Sequence, residues 1–112
     1  MGESYASLVI QPIDLVRAFR VEFCLASIIK WLTKWHMDRK SEYLNRAKYY
    51  IPLCESEYSP SLLFSIRMYC ITNKFMESGA DKSCLLVDVV KDIMNNKKEQ
   101  AVYKLVQEAY NK

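Results

Sequence analysis

Glycine and histidine are scarce in this chain, and their scarcity excludes several kinds of catalytic site. Only Gly2 and Gly79 occur among 112 residues, so no stretch offers the successive unhindered backbone amides that wrap a phosphate in a P-loop. The same shortage excludes the glycine-rich turn of a Rossmann dinucleotide site. His36 is the only histidine, and no serine or cysteine has a local signature that marks it as a nucleophile. We therefore interpret His36 as a residue near the end of its helix rather than as a catalytic base.

Metal-binding patterns are also missing from the sequence. The cysteines contain no CxxC pair, and only one histidine is present to join them in a zinc site. Two acidic pairs have a spacing of four residues, Asp38 with Glu42 and Asp88 with Asp92. Magnesium chemistry would require at least three or four converging oxygen ligands, so these pairs are interpreted as solvated surface. We predict no metal site and assign no cofactor.

Membrane and export signals are absent too. No apolar run approaches the roughly 18 residues that suggest a membrane-spanning helix. The first residues lack the basic region followed by an apolar block that defines a signal peptide. Cys24 and Cys70 lie within apolar helical patterns, where a reduced cysteine behaves as a small hydrophobe. The sequence therefore predicts a cytoplasmic protein with free thiols and no membrane association.

Helical periodicity is what the chain does contain, and it predicts an all-α fold. Apolar residues recur at helical spacing in six segments, which we place at about 12–20, 23–36, 41–51, 60–76, 82–95 and 97–112. The valine-rich run at 84–90 also permits a strand. Together these segments predict one domain over residues 1–112, a single compact bundle of five or six helices.

Two details of this prediction bear on assembly. Gly79 is expected to stop the helix at 60–76 as a left-handed cap. That helix is apolar on two sides, with Phe64 and Met68 on one and Leu62 and Ile66 on the other. A helix of this kind is either central in the fold or buried in an oligomer, so we expect a homo-oligomer.

Positive charge is concentrated in the first half of the chain. Residues 1–54 carry eight Lys and Arg against five Asp and Glu, whereas residues 55–112 carry eight of each. The helix at 23–36 divides into an apolar arc, expected to bury Trp31 and Trp35, and an exposed stripe of Ser27, Lys30 and Lys34. Two lysines on adjacent turns can hold a phosphate, and a nearby aromatic such as Tyr49 can stack on a base. The alternative is an ordinary solvated helix face.

The first half of the chain resembles the SaV-like family of small phage proteins of unknown function, often labelled nucleotide kinase. The family pattern is a lead-in aromatic, a Pro-Ile-acid start and a helix, a Phe-x-x-Gly-Asn-x-Ile-Lys-Tyr block, a basic turn, and a final Asp-Leu-x-Lys-Ala-x-x-Tyr-Leu segment. The residues that match are Tyr5, Pro12, Ile13, Asp14, Phe23, Ile29, Lys30, Trp31, Leu44, Ala47, Tyr50 and Ile51. Ala26-Ser27 stands in place of the family's Gly-Asn. Tyr43 stands in place of the Asp that precedes the leucine matched by Leu44. The match covers residues 5–53, and residues 54–112 have no recognised counterpart.

The resemblance implies a phage-encoded protein of the host cytoplasm that binds a nucleotide, with an activity like that of a nucleoside monophosphate kinase. Lys30 and Lys34 would then contact phosphate, Asp14 would orient the ligand or a metal, and Ser27 and Tyr49 would complete the site. An alternative is a non-catalytic protein that binds and inhibits a host or defence factor. A third is a protein that sequesters a signalling nucleotide without turnover. No motif for specific nucleic-acid binding is present.

Overall fold

The computed structural model describes residues 5–55 and 58–111, and helices dominate these residues. They form α1 (Pro12–Phe19), α2 (Phe23–Asp38), α3 (Ser41–Tyr50), α4 (Pro60–Thr72), α5 (Leu85–Met94) and α6 (Lys98–Tyr110). Two 3-10 turns, Tyr5–Ser7 and Ile51–Leu53, precede α1 and follow α3. Since no strand occurs among the described residues, the all-α prediction is confirmed.

Helix α2 lies against α1, α3 and α5 and provides the middle of the core. Leu25, Ile28, Ile29 and Leu32 recur every three or four residues and are completely buried. Burial of each such side chain stabilises the fold by roughly 1.5–3 kcal/mol relative to an exposed one. Helices α3 and α6 cover one another and α4 packs on α5, so the bundle closes around α2.

Glu22 fixes the start of α2. Its carboxylate accepts hydrogen bonds from the amides of Cys24 at 2.8 Å and Leu25 at 2.9 Å, and from the Tyr58 hydroxyl at 2.7 Å. The carboxylate thereby provides an acceptor for two amides that have no partner inside the helix. Burial alone would raise the pKa of Glu22, but the hydrogen bonds from Tyr58 and the amides outweigh it and lower the pKa.

The end of α4 differs from the prediction. The helix stops at Thr72, because Lys74 adopts a left-handed conformation with φ of 65°. The amide of Phe75 donates to the Cys70 carbonyl at 2.8 Å and the amide of Lys74 to the Ile71 carbonyl at 3.0 Å, which is a Schellman closure. Gly79 lies in the following loop and caps nothing, so its predicted role was wrong.

Helix α4 also lies at the edge of the bundle rather than at its centre. Leu62 and Ile66 are buried against α1 and α5, while Phe64 and Met68 remain 65% and 43% exposed. Of the two alternatives for this helix, a central position in the fold is therefore excluded, because one of its apolar sides is open within the chain. The homo-oligomer that would cover the Phe64 side in solution stays a prediction.

Helix α5 resolves the choice between a helix and a strand over the valine-rich run. Leu86, Val89, Val90 and Ile93 are buried at helical spacing, and the helix begins after Cys84. The strand alternative was wrong because burial on one helical stripe outweighs the modest β preference of valine. None of the helices in residues 5–55 and 58–111 has the length and apolar character that crossing a bilayer requires.

Candidate functional site

A cleft of about 280 Å³ opens between the first 3-10 turn, α1 and the N-terminal half of α2. Most of the residues that line it are apolar, and Ser27 and Lys30 are among the polar ones. The lining residues are Tyr5, Gln11, Pro12, Ile13, Val16, Phe23, Ala26, Ser27 and Lys30. Phe23 is 72% exposed, so its ring is free to contact a bound molecule. The cleft combines an apolar wall with a single cation, an arrangement common in small-molecule sites.

The structure corrects the position of Ser27. The sequence pattern predicts Ser27 on the exposed stripe with Lys30, but its side chain is only 6% exposed. The 3-10 turn and α1 fold over this part of α2 and enclose it. Ser27 nonetheless lines the cleft, and its hydroxyl makes no hydrogen bond to another described residue. The enclosure brings Ser27 and Lys30 into one cavity rather than onto an open surface.

Tyr5 closes the cleft from the N-terminal side. Its hydroxyl donates to the Lys30 carbonyl at 3.2 Å, which ties the 3-10 turn to α2. Burial, and then the neighbouring Tyr43, raise the pKa of Tyr5 to about 12. The phenol therefore remains protonated near neutral pH and adds no negative charge to the cleft.

A row of cations and aromatic rings continues from Lys30 along the outer face of α2 and α3. The Lys30 ammonium lies 4.3 Å from the centre of the Trp31 ring, and the Arg46 guanidinium lies 5.0 Å from it. Trp31 stacks on Tyr43 with ring centres 5.9 Å apart, and Lys34 lies 5.6 Å from the Tyr43 ring. We call these five residues the cationic row. Its cations contact aromatic faces rather than carboxylates, so their charge remains available to an anion.

Trp31 therefore differs from its predicted role. The apolar arc predicts both tryptophans in the core, and Trp35 is indeed 6% exposed. Trp31 is only half-buried, because it lies at the boundary of α2 and α3, where Tyr43 covers one part of it and the cations cover another. The ion pairs Lys82–Glu77 and Lys104–Asp92 of the described chain do not involve the cations of the cationic row.

Three of the predicted site residues lie outside the cleft lining. One is Lys34, which belongs to the cationic row. Asp14 is exposed, and its carboxylate accepts a hydrogen bond from the backbone amide of Gln11 at 3.0 Å. This contact caps the start of α1. Tyr49 is 68% exposed and packs edge-on against Tyr50 at 5.2 Å. Neither is brought together with Ser27 and Lys30 by the contacts of the cleft.

Ile13 and Phe23 are two exposed apolar residues of the cleft that the sequence-based site omits. Both match the family pattern, but apolar residues at the start of a helix are ordinarily read as core. Their exposure, 49% and 72%, follows from the angle between α1 and α2, which periodicity does not reveal. Among the described residues, no group of three or more His, Cys, Asp or Glu side chains could hold a metal ion.

Over residues 5–55 and 58–111, the fold and the cleft define an all-α bundle of six helices with a mostly apolar cleft that has a cation at its rim. Comparisons with protein-family models, curated proteins and solved structures found no match to this chain. Its function must therefore be argued from the geometry of the cleft.

Proposed function

We propose that this protein binds a small anionic ligand with a planar or apolar body, a nucleotide being the best fit, in the cleft between α1 and α2. The observation that carries the proposal is that exposed apolar side chains and a cation line the same cleft: Ile13 of α1 and Phe23 of α2 are found there together with Ser27 and Lys30 of α2. A base would contact Phe23, and a phosphate would accept hydrogen bonds from Ser27 and Lys30.

The cationic row supports the same proposal. Lys34 and Arg46 add positive charge beyond the rim, and Lys34 also lies 5.3 Å from the Tyr5 ring that closes the cleft. A field of one sign raises the local concentration of an anion and the rate at which it arrives. Lys30, the cation of the cleft, is also one of the residues that match the pattern of the SaV-like phage family. A phage origin therefore forms part of the proposal.

Chemical turnover of a bound nucleotide is a separate property from binding. The kinase-like activity implied by the family would need a means of holding two phosphate groups, yet the sequence has no P-loop. Incubation with ATP and each nucleoside monophosphate separates an enzyme from a protein that only sequesters its ligand. Product formation supports the first, and stoichiometric binding without product supports the second.

Calorimetric titration tests the proposal with a panel of nucleoside mono-, di- and triphosphates, cyclic nucleotides and inorganic phosphate. We expect at least one nucleotide to bind, with Lys30→Ala weakening it about tenfold or more, since a charge-assisted hydrogen bond contributes about 1.5–3 kcal/mol. Ala26→Leu should also weaken binding, because it narrows the cavity without changing charge or helix propensity. Lys91→Ala is the matched control, an exposed lysine on α5.

Two results would refute the proposal. One is the absence of binding below about millimolar for every ligand in the panel. The other is a nucleotide affinity that Lys30→Ala and Ala26→Leu both leave unchanged, which would place the binding site elsewhere. Binding of inorganic phosphate with the same affinity as the nucleotides would remove the role assigned to the apolar wall.

A second candidate function is favoured by the open side of α4. Phe64 and Met68 lie one turn apart on one helix face and remain exposed, as residues of a protein-binding surface do. Under this proposal the chain binds a host protein, or a second copy of itself, without catalysis. Sedimentation velocity and capture from bacterial lysate test it, with Phe64→Lys as the disrupting variant. A monomer that recovers no stoichiometric partner would contradict it.

A further inference from the structure

His36, Cys70 and Cys84 form a second cluster, on the side of α2 away from the cleft. The His36 Nε2 accepts a hydrogen bond from the Leu86 amide at 3.4 Å, two residues after Cys84. The Phe75 ring stacks on His36 with centres 5.0 Å apart, and the Phe75 amide donates to the Cys70 carbonyl. Residues from three helices and a loop therefore meet at one point.

The two thiols of this cluster have different surroundings. Cys70 is completely buried on α4, whereas Cys84 is partly exposed and occupies the N-cap position of α5. Backbone amides and the positive end of the dipole at a helix N-terminus favour a thiolate over a thiol.

The hydrogen bonds within the cluster follow the same asymmetry. The Cys70 thiol donates to the Cys84 sulfur, which lowers the pKa of Cys84, and the contact with His36 lowers it further against the opposing effect of burial. The pKa of Cys70 is raised by this hydrogen bond and by burial. The two shifts therefore have opposite directions, with Cys84 as the acceptor of this hydrogen bond and Cys70 as its donor.

The other two cysteines lack these features. Cys24 is also partly exposed, but burial of its sulfur and the adjacent Glu22 carboxylate raise its pKa. Cys54 is buried, and burial raises its pKa to about 12. Cys24 therefore provides an internal comparison for Cys84, with similar exposure and opposite electrostatics.

We propose that Cys84 is a site of oxidation by hydroperoxides and that Cys70 resolves the product into a Cys70–Cys84 disulfide. In the first step the Cys84 thiolate attacks a peroxide oxygen, the O–O bond breaks, and water and a sulfenic acid form from hydrogen peroxide and one proton. In the second step the Cys70 sulfur attacks the sulfenic sulfur, the S–O bond breaks, and the released hydroxide takes the Cys70 proton as water. One peroxide is reduced to two waters, and two thiols are oxidised.

Peroxide treatment followed by mass spectrometry tests this proposal on the full chain. The double variant Cys24→Ser/Cys54→Ser retains only the proposed pair. We expect it to lose two hydrogens in mass on oxidation, to yield a cross-linked peptide containing Cys70 and Cys84, and to recover its mass after treatment with a dithiol. In Cys70→Ser the reaction should stop at the first step, and dimedone should label Cys84.

Alkylation of the untreated protein gives a measurement that needs no variant. At pH 6 an ordinary thiol with a pKa near 9 is almost wholly protonated. Allowing for the lower nucleophilicity of a weakly basic thiolate, Cys84 should react with iodoacetamide at least about fivefold faster than Cys24. Equal or slower alkylation of Cys84 would overturn the proposal. So would a sulfenic acid that persists in the wild-type chain, or a disulfide that joins any other pair.

Discussion

The buried hydrogen bond between Thr33 and Tyr69 offers the sharpest quantitative test of the fold. It joins α2, which carries the cleft, to α4, and its two hydroxyl oxygens lie 2.7 Å apart. Both residues are almost completely shielded from water. Thr33→Val leaves the Tyr69 hydroxyl buried without a partner, and such an orphaned group destabilises a protein by about 1–3 kcal/mol.

Tyr69→Phe should be the milder change. The Thr33 hydroxyl that remains can donate to a carbonyl of the preceding helical turn, an option open to threonine within a helix. The loss is then near the net value of one hydrogen bond, about 0.5–1.5 kcal/mol. The double variant removes both polar groups together and leaves neither hydroxyl unsatisfied. We expect it to be more stable than Thr33→Val alone.

Urea denaturation of the four proteins measures this order, and thermal melting should show Thr33→Val lowered by roughly 4–12 °C, at about 4 °C per kcal/mol for a domain of this size. The diagnostic quantity is the coupling energy of the double-mutant cycle. Strict additivity, with the double variant as unstable as the sum of the single ones, would refute the reasoning. It would mean that water or another group satisfies the Tyr69 hydroxyl when Thr33 is replaced.

Two further predictions concern α1 and the start of α2. Because hydrogen bonds lower the pKa of Glu22 below its ordinary value of 4.5, the folded state binds fewer protons there than the unfolded state, and stability should fall as the pH drops below about 4.5. Denaturation at pH 7 and pH 3.5 should show that acid reduces the free energy of unfolding less in Glu22→Gln than in the wild type. Glu99→Gln, an exposed control, should match the wild type. Equal losses of stability in all three proteins would contradict the assignment. Asp14→Ala removes the acceptor of the Gln11 backbone amide and should lower stability by about 0.5–2 kcal/mol without changing nucleotide affinity. A weakened affinity in a variant that remains folded would instead place Asp14 in the binding site.

Much of the fold could be predicted from periodicity, because each helix buries one stripe of its own residues. Leu25, Ile28 and Leu32 show the pattern in α2, and Leu86 and Val90 show it in α5. Helix ends were less predictable, since Lys74 adopts a left-handed conformation that ordinarily favours glycine. Its conformation is imposed by the hydrogen bonds of the Schellman closure, which depend on geometry rather than residue type.

The candidate site was predictable only in part, and the reason is spatial. Lys30 could be identified from one helix face, but the enclosure of Ser27 and the exposure of Phe23 depend on how α1 and the 3-10 turn lie across α2. The thiol cluster could not be predicted at all, because Cys70 and Cys84 belong to different helices and His36 to a third. A search for local nucleophile signatures cannot find residues that meet only after folding.

The two proposed sites share α2, and helical geometry indicates that they are independent. His36 lies six positions after Lys30, which places the two side chains roughly 120° apart around the helix axis and about 9 Å apart along it. The completely buried Leu32 and Thr33 lie between them. Changes at sites that are well separated and share no partner usually have additive effects. Lys30→Ala should therefore leave peroxide oxidation of Cys84 unchanged, and Cys84→Ser should leave nucleotide affinity unchanged. A loss of nucleotide affinity on oxidation of the wild type, absent in Cys84→Ser, would show instead that α2 transmits a change from one site to the other.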